Sequence, residues 1–451
     1  MISGIFKNNN MILLKNANII QFHPPKITYN VDVVIENKLI IDVGKNIGKN
    51  YKAGKEINLE NRFISSGLVC SHNHFYSALS RGILADIKPC NNFLDILKNL
   101  WWKLDRAIDE EILYYSGLIG ALEAVKAGTT SVIDHNASPS FISGSLTTLK
   151  KAFEKAGLRG ILAYEITDRN GIEGMAEGVK ESIDFSKIID EEKKSSDSKY
   201  LIETAVGAHA PFTLSNNSLE QISEALMISN RGLHIHVSED ETDNSFSHQN
   251  FNKDVMQRLD DFSLLNEKSI IVHGVYLTDN DISILNERDS FLVHNPRSNM
   301  NNGVGYMKNL DKVKNVGLGT DGISSNMFEE TKFAFFKNND SQGKLTPNDF
   351  MRFLQNGNTL LKRYFNKNFG KIEKDFAADI VIYDYSPPTH FVYDNIAGHF
   401  IYGFSSRDVE TVIINGKIVY ENRKFPFAID NIYSEAREAS KKLWEKMDKI
   451  N

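Results

Sequence analysis

The sequence predicts a distorted (β/α)8 TIM barrel joined to a small β-sandwich-like domain that both chain termini build. Two observations predict the barrel. The middle of the chain holds eight short apolar strand candidates, and amphipathic helical stretches separate them over about 300 residues. A third observation predicts the second domain, because β-branched and alternating runs fill both ends of the chain. Strand counting leaves a doubly wound open sheet as the alternative.

We predict the barrel over residues 66–371. Its strand candidates are short runs of aliphatic and β-branched residues, as expected for parallel strands that are buried on both faces. Helical patterns such as those at 114–128 and 218–230 lie between them. In chain order the strand candidates lie at 67–72, 129–135, 158–165, 201–209, 232–239, 269–274, 291–295 and 316–321.

The second domain is predicted from residues 1–65 and 372–451. Both segments read as short strands separated by Asn, Gly and Pro, and a helix closes the chain. The Asn415-Gly416 pair between two apolar runs predicts a hairpin turn. Two separate terminal domains would give the same pattern and stay possible at this stage. Residues 1–10 resemble an extension before the first strand, with Met11 as an alternative start.

Composition restricts the function classes. Of 451 residues 41% are hydrophobic and 24% charged, which is typical of globular proteins. The net charge of −6 gives no case for a nucleic-acid binder, and the absence of a run of about 18 apolar residues predicts no membrane span. Two cysteines, Cys70 and Cys90, exclude a disulfide framework and a four-cysteine zinc site. They fit a reducing compartment, so we expect a cytoplasmic protein.

Polar residues fall at one end of the predicted strands. The carboxyl ends of the strands form the active-site face of a (β/α)8 barrel, whereas scattered core histidines would not sort in this way. The sequence therefore predicts a site at this face. The residues at or near the strand ends are His72, His135, Glu165, His209, His236, His273, His294 and Asp321.

The first strand ends in His72-Asn73-His74. Residues two apart on a strand point to the same side, so the two imidazoles can converge on one ion. Such a triplet alone equally fits two packed histidines. Its position at a strand end, with further histidines downstream, favours a metal site.

Two later strands add further candidates. His236 ends strand five, and Glu239 follows at a spacing that can place a carboxylate beside a metal-bound water. His234 is the rival ligand, which we interpret as a packed barrel histidine. Asp321 follows strand eight in a Thr-Asp-Gly sequence that alone is typical of a turn. His273 ends strand six, and a histidine satisfied by the backbone is its alternative interpretation.

Three imidazoles and a carboxylate suit a borderline divalent ion such as zinc or ferrous iron. Such an ion lowers the pKa of bound water to about 7 and creates hydroxide at neutral pH. A carboxylate must then carry the proton to the leaving group, and Glu239 is the natural candidate.

Longer segments resemble the amidohydrolase superfamily, in its mononuclear deaminase and chlorohydrolase-like branch. The resemblance covers nearly the whole chain from Met11 and is closest to the SsnA subfamily of aminohydrolases. It rests on GLVCSHNHFYSALSRG (67–82), GAHAPFTLS (207–215), HIHVSE (234–239), IIVHG (270–274), HNPRSNM (294–300) and GLGTDGISS (317–325).

The resemblance implies a role for each matching residue. One divalent ion, zinc in preference to iron, would be bound by His72, His74, His236 and Asp321. Glu239 would shuttle a proton between water and substrate nitrogen, His273 would orient the attacking hydroxide, and Asp321 would also accept the proton of the water. The residues implied at the substrate are Arg81, Trp102, Asp105, His209 and His294.

Two positions refine this picture. Asp105 stands where nucleoside deaminases of this branch carry a longer Glu, which disfavours a ribose contact. Strand four ends in Gly207-Ala208-His209, without the lysine that holds a second ion in binuclear members, so we expect one catalytic ion.

The sequence thus predicts a metal-dependent aminohydrolase that acts on a non-peptide C–N bond of an N-heterocyclic or amidine-like small molecule, most simply by deamination. The same site could open a cyclic amide or act as a triazine-type chloro- or aminohydrolase. The non-enzymatic alternative is a degenerate barrel that binds a ligand. We expect a small-molecule substrate, no nucleic acid, no membrane and a homodimer as one possible assembly.

Overall fold

Both ends of the chain contribute strands to one eight-stranded sheet. In the computed structural model, which describes residues 8–195 and 200–450, this sheet has the order β18-β17-β16-β5-β1-β2-β3, with β4 paired to β1. The strands share an apolar core that includes Leu14, Val33, Ile64, Ile380 and Ile413. They are β1 (Asn8–Gln21), β2 (Lys26–Glu36), β3 (Leu39–Gly44), β4 (Ala53–Asn58), β5 (Phe63–Ser66), β16 (Ile380–Tyr383), β17 (Val409–Ile414) and β18 (Lys417–Tyr420).

This sheet confirms the separate β domain built from both termini. The hairpin predicted at Asn415-Gly416 joins β17 to β18, whose antiparallel register pairs Ile414 with Lys417. The first seven residues of the extension predicted at 1–10 lie outside the described residues. Residues 8–10 belong to β1, so the first strand begins before Met11.

Parallel strands of the middle segment form the barrel in two five-stranded sheets of orders β15-β6-β7-β8-β9 and β10-β11-β12-β13-β14. The predicted barrel is confirmed, and its strands lie within a few residues of the predicted ranges. They are β6 (Leu68–His74), β7 (Thr129–Asn136), β8 (Arg159–Tyr164), β9 (Ile202–Thr204), β10 (Val206–Ala208), β11 (Leu233–Val237), β12 (Ile270–His273), β13 (Phe291–His294), β14 (Val316–Leu318) and β15 (Asp321–Gly322).

The barrel is distorted because its fourth and eighth strands are each interrupted. The fourth strand pairs with β8 before Ala205 and with β11 after it. The eighth strand pairs with β13 through β14, and with β6 through β15, where Asp321 faces Asn73. The second interruption brings an acidic residue beside the end of the first barrel strand, and this determines where the site forms.

Helices cover the outside of the barrel and close the chain. No helix within the two described ranges is long and apolar enough to cross a lipid bilayer. The helices are α1 (Phe93–Ile96), α2 (Trp102–Ala107), α3 (Glu110–Lys126), α4 (Ser145–Ala156), α5 (Gly171–Ser195), α6 (Asn216–Ser229), α7 (Glu241–Phe251), α8 (Val255–Asp261), α9 (Asp279–Glu287), α10 (Pro296–Asn301), α11 (Met327–Asp340), α12 (Pro347–Phe365), α13 (Ile396–Tyr402) and α14 (Asp430–Lys449).

A buried ion pair joins the barrel to the β domain. Arg159 of β8 donates from Nε and Nη2 to the two carboxylate oxygens of Asp379, each at 3.0 Å, and the two side chains are only 1% and 7% exposed. Asp379 Oδ1 also accepts a hydrogen bond from the backbone N–H of Asn415. One carboxylate therefore holds a barrel strand and the β17–β18 hairpin together.

Replacing Asp379 by alanine is expected to lower the free energy of unfolding by about 3–5 kcal/mol, because the Arg159 guanidinium stays buried without its partner. Urea unfolding followed by circular dichroism measures the loss. Asp384→Ala is the matched control, because Asp384 pairs with Arg423 at the surface, where such pairs contribute about 0–1 kcal/mol. Equal losses in the two variants would contradict the assignment.

Candidate active site

Four side chains converge at the carboxyl ends of the barrel strands. His72 and His74 come from β6, His236 from β11 and Asp321 from β15. One ligand atom from each lies within 4.8 Å of all the others. His74 Nε2 is 3.1 Å from His236 Nε2, and Asp321 Oδ1 lies 3.0 Å and 3.2 Å from the Nε2 atoms of His74 and His72. The structure thus brings together the four residues predicted as metal ligands, which we call the metal cluster.

Hydrogen bonds at the far side of the rings show that the cluster fits a cation. His74 Nδ1 donates to the backbone oxygen of His135 at 2.6 Å, and His236 Nδ1 donates to that of His209 at 2.8 Å. In the neutral rings both Nε2 atoms then carry lone pairs, and these two acceptors face each other. Backbone carbonyls that orient histidines in this way are typical of metal sites. Three imidazole nitrogens and one carboxylate suit zinc or ferrous iron.

His234, the rival ligand, lies behind the cluster. Its Nε2 is 2.8 Å from His72 Nδ1, and its ring is fully buried. When His72 uses Nε2 as a ligand, its Nδ1 carries the proton and donates it to His234. His234 is therefore placed to orient a ligand, and it is not one of the four residues of the metal cluster.

Burial sets the charges of the cluster. Desolvation lowers the pKa of His72 to about 3, and that of His236 well below its ordinary value. Burial also lowers the pKa of His74, but its hydrogen bond to Asp321 reverses the direction and raises it to about 9. The rings of His72 and His236 are thus neutral, whereas His74 favours a positive charge beside Asp321.

Local sequence explains how the loop that follows β14 reaches His72. A Cβ at Gly319 would lie 2.9 Å from the Cβ of His72 and 2.4 Å from Asn295 Oδ1, so only glycine fits here. Asn73, between the two ligand histidines, points the other way and donates to Thr320 Oγ1 at 2.6 Å. The residue before Asp321 is thereby fixed to the strand that carries the histidines.

Two residues of the site have left-handed backbone conformations. The φ angles are +70° at His273 and +56° at Asp321. Such angles are uncommon for residues other than glycine and occur often at functional sites. The left-handed conformation makes both side chains point in a different direction from that of a regular strand end.

Glu239 and His273 form a second group beside Asp321. Glu239 Oε2 is 3.4 Å from His273 Nε2, which in turn is 4.0 Å from Asp321 Oδ2. His273 Nδ1 donates to Asn299 Oδ1 at 2.8 Å, so its Nε2 is the atom left for a water or substrate. Asn302 donates to Glu239 Oε1 at 3.1 Å and holds the carboxyl group in place.

The two carboxyl groups differ in acidity. Burial raises the pKa of Glu239, and the charge of Asp321 adds to this effect, although His273 opposes it. Burial also opposes ionisation of Asp321, but hydrogen bonds to His72 and His74 outweigh it and hold its pKa well below the usual range. Asp321 is therefore the anion of the resting site, and the raised pKa of Glu239 suits a group that gains and releases protons.

A cavity opens above the cluster. One wall is apolar and comes largely from a helical segment in which α1, a five-residue π-helix (Leu97–Trp101) and α2 follow without a break. The widened π-turn is a common feature of functional sites. The apolar lining residues are Phe93, Leu97, Trp101, Trp102 and Phe212.

The structure places three of the five predicted substrate residues on the cavity. Trp102, Asp105 and His209 line it. Arg81 and His294 are not among its lining residues in the described part of the chain. Arg81 instead makes two hydrogen bonds with Glu123, at 2.8 and 2.6 Å, while the ring of His294 is fully buried.

Several residues of the site were not predicted as such. Glu165 was noted only as a strand end, yet it lines the cavity, and Arg169 donates to it at 2.5 Å. Asn299 and Asn302 support the catalytic candidates, and Ser298 donates to Asp321 Oδ2 at 2.5 Å. The segment after strand seven was the available signal, because polar residues are concentrated there.

The fold and site define a barrel hydrolase with a metal-binding centre at the carboxyl ends of its strands. The model of the amidohydrolase family matches residues 63–419, so the chain belongs to this family, as the resemblance predicted. The family is metal-dependent.

Similar proteins fall within the predicted class. A 5-methylthioadenosine/S-adenosylhomocysteine deaminase from Thermococcus sibiricus is 33% identical over 419 residues, which cover 90% of this chain and 93% of that protein. An adenosine deaminase structure from Xanthomonas campestris, with bound zinc, has a TM-score of 0.82 at 21% identity and covers 97% of this chain and 99% of its own. Atrazine chlorohydrolase from Arthrobacter aurescens TC1 has a TM-score of 0.79 at 18% identity, with coverages of 95% and 100%. The two structures establish the fold.

The chain is therefore a metal-dependent hydrolase that acts on carbon–nitrogen bonds other than peptide bonds. This confirms the predicted enzyme class and leaves the non-enzymatic alternative without support. The narrower resemblance to the SsnA subfamily stays a prediction.

Proposed function

We propose that this protein removes the exocyclic amino group of an adenine-type nucleoside by hydrolysis, with one divalent ion, zinc in preference to iron, in the metal cluster. The observation that carries the proposal is the position of Glu239 and the free Nε2 of His273 beside Asp321, at the floor of a cavity that polar catalytic groups and aromatic side chains line together. The relative from Thermococcus sibiricus, named for two adenine nucleosides, supports this substrate class against the expectation from the shorter Asp105, which disfavours a ribose contact.

The metal cluster supplies one part of the chemistry. A divalent ion held by His72, His74, His236 and Asp321 would act as a Lewis acid that makes a water at this site acidic near neutral pH. Asp321 Oδ2, to which Ser298 donates a hydrogen bond, would accept the proton that the water loses. His273 Nε2 is placed to orient the oxygen for attack on the carbon that bears the amino group.

Glu239 carries the remaining proton transfers. Its buried carboxyl group first protonates the ring nitrogen next to the reacting carbon, which lets that carbon accept the oxygen. Glu239 then takes the proton of the new hydroxyl group and passes it to the amino group, which leaves as ammonia while the carbon–oxygen bond becomes a carbonyl. The proton held by Asp321 returns to Glu239 and restores the starting state. Water and the amino compound thus yield ammonia and the corresponding oxo compound, with no oxidant or reductant.

The apolar wall holds the planar ring. Trp101, Trp102 and Phe212 border the cavity, and aromatic side chains of this kind stack on flat heterocycles. They also exclude water, which strengthens the electrostatic effect of Glu239 and Asp321 on the reacting atoms.

Ammonia release tests the proposal. Zinc-loaded protein is incubated with 5'-methylthioadenosine, 5'-deoxyadenosine, adenosine and guanine, and with aminopyrimidines and an aminotriazine as other classes. We expect ammonia from the adenine nucleosides and none with His236→Ala, which lacks a ligand of the cluster. Ammonia only from another class would replace the adenine nucleoside as substrate, and a product other than ammonia would favour the triazine-type alternative.

Three narrower predictions complete the proposal. One ion per chain is expected, because no lysine lines the cavity within the described ranges. A cytoplasmic location is supported by the two cysteines, Cys70 and Cys90, both of which are unpaired. The homodimer stays a prediction from the family resemblance.

A further inference from the structure

A second acidic group lies on the cavity beside the metal cluster. Glu165 at the end of β8 clusters with His209 and His236, each offering one atom within 4.8 Å of the others, whereas Glu239 clusters with His273 and Asp321. Glu165 thus lies beside the metal cluster at His236, and Glu239 lies beside it at Asp321. The deamination proposed above uses only one of them.

The cavity has no free positive side chain to match these carboxylates. Its lining includes six acidic residues and, within residues 8–195 and 200–450, no lysine or arginine. Asp243 accepts the backbone N–H groups of Phe212 and Ser238, and Asp240 caps α7 through Thr242. With Glu239 and Asp321 assigned to the reaction, Asp105 and Glu165 are the acids left to face the substrate.

Arg169 lies on the same wall, and each of its three side-chain nitrogens already contacts an acceptor. It donates from Nη2 to Glu165 at 2.5 Å and from Nη1 to Asp105 at 3.4 Å, while Nε contacts Thr167 Oγ1 at 3.2 Å. Its flat face lies 4.7 Å from the centre of the Trp102 ring. Arg169 offsets the charge of Glu165, whose pKa lies well below its usual range, while burial raises the pKa of Asp105 to about 7. The wall therefore keeps a partial negative charge, and Trp102 covers one face of the guanidinium.

One atom on this wall lacks a partner. Asp105 is 2% exposed, lines the cavity, and its Oδ1 accepts no hydrogen bond in the described structure. A buried carboxyl oxygen without a partner has lost its hydrogen bonds to water, so a ligand that donates an N–H or O–H group to it binds more tightly. Together with Glu165 it forms a receptor for hydrogen-bond donors.

We propose that Glu165 and Asp105 select substrates by charge: the part of the substrate that does not react is neutral or cationic and carries N–H or O–H donors, and substrates with a carboxylate or phosphate arm are rejected. This inference rests on the proposed deamination of an adenine nucleoside and narrows its substrate class. Under this proposal the enzyme distinguishes 5'-substituted adenosines by the charge of the 5' substituent.

Binding of three matched nucleosides tests the inference without turnover. Calorimetry on zinc-loaded Glu239→Gln protein compares 5'-amino-5'-deoxyadenosine, 5'-deoxyadenosine and adenosine 5'-monophosphate. We expect affinity to fall in that order, with at least about tenfold between the cation and the anion. Removing the Glu165 charge by Glu165→Gln should reduce the preference for the amine about tenfold and let Arg169 admit the phosphate.

The controls separate the two proposals. Glu173→Gln removes the same charge from an exposed position of α5 and should leave the affinity ratios unchanged. Asp105→Asn is the second variant and should shift the ratios in the same direction as Glu165→Gln. Unchanged ratios in both cavity variants, or tight binding of the phosphate by the Glu239→Gln protein, would overturn the inference. If the three nucleosides bind in the expected order but the unmodified protein releases no ammonia, only the proposed deamination is wrong. If none of the three nucleosides binds, both proposals are wrong.

Discussion

Glu239→Gln is expected to lower kcat for ammonia release by about 10³-fold or more, while the metal content per chain stays unchanged. General acid–base groups contribute about 10²–10⁴-fold, and a glutamine cannot deliver the two protons that the reaction needs. The amide has nearly the shape of the carboxyl group and keeps the contact with Asn302, so the cavity should be preserved. Ammonia assays combined with elemental analysis of the purified variant measure both quantities.

A neighbouring carboxylate provides the control. Glu241, two residues further on, is exposed at the start of α7, and Glu241→Gln should retain the parent kcat. A Glu239→Gln enzyme that stays within tenfold of the parent would remove Glu239 from the proton transfers and move the search to Asp321 and His273.

His74→Ala is expected to abolish both metal binding and turnover, with kcat reduced below detection. The side chain contacts two other members of the metal cluster, so its loss leaves three ligands and an unmatched acceptor at His236. Because a bound ion stabilises only the folded state, the midpoint of thermal unfolding should also fall. Treatment of the parent protein with a chelator should reproduce both effects, and added zinc should reverse them.

An exposed histidine serves as the comparison. His248 lies on α7 with about half of its side chain exposed, and its Nε2 is 3.1 Å from Asp254 Oδ1. His248→Ala should keep one ion per chain and full turnover. If His74→Ala also retained a full complement of metal, the four-residue cluster would be the wrong ligand set.

The sequence predicted the barrel well because two patterns coincide in it. Buried parallel strands are short and apolar, and their polar residues are confined to the ends that form the active-site face. This rule places His72, His74, His236 and Asp321 among the residues at or near the strand ends, and the family resemblance selects these four as ligands. The structure brings one ligand atom of each within 4.8 Å of the others. The interruptions of strands four and eight were not predicted, since both predicted ranges are continuous and the change of partner depends on the closure of the whole ring.

Residues supplied by loops and long side chains were harder to predict. Arg81 was expected at the substrate, but it reaches Glu123, 42 residues later, and nothing local in the sequence indicates that pair. The position of a residue at a strand end also does not determine where its side chain points. His294 ends its strand as predicted, but its ring is fully buried and does not line the cavity. Conversely, Asn299 and Asn302 act from the segment after β13, where polar residues are common for many reasons. The role of these two asparagines depends on their hydrogen-bond partners, His273 and Glu239, which the sequence does not reveal.

Sequence inspection also recorded Glu165 without assigning it a role. Its importance depends on Arg169 and Asp105, which lie on a later turn and on a separate helix. Only the folded chain shows that Arg169 lies between the two carboxyl groups on the cavity wall.

The left-handed backbone at His273 and Asp321 links catalysis to the durability of the protein. Each such conformation costs on the order of 1–3 kcal/mol, a notable share of the roughly 5–15 kcal/mol by which folded domains are stable. A lineage selected for heat resistance alone would therefore gain by replacing these residues with glycine, and would lose its chemistry at the same step. If a thermostable homologue retains both residues, other contacts must compensate for the stability that they cost. Interdomain contacts such as the Arg159–Asp379 ion pair are the expected place for this compensation.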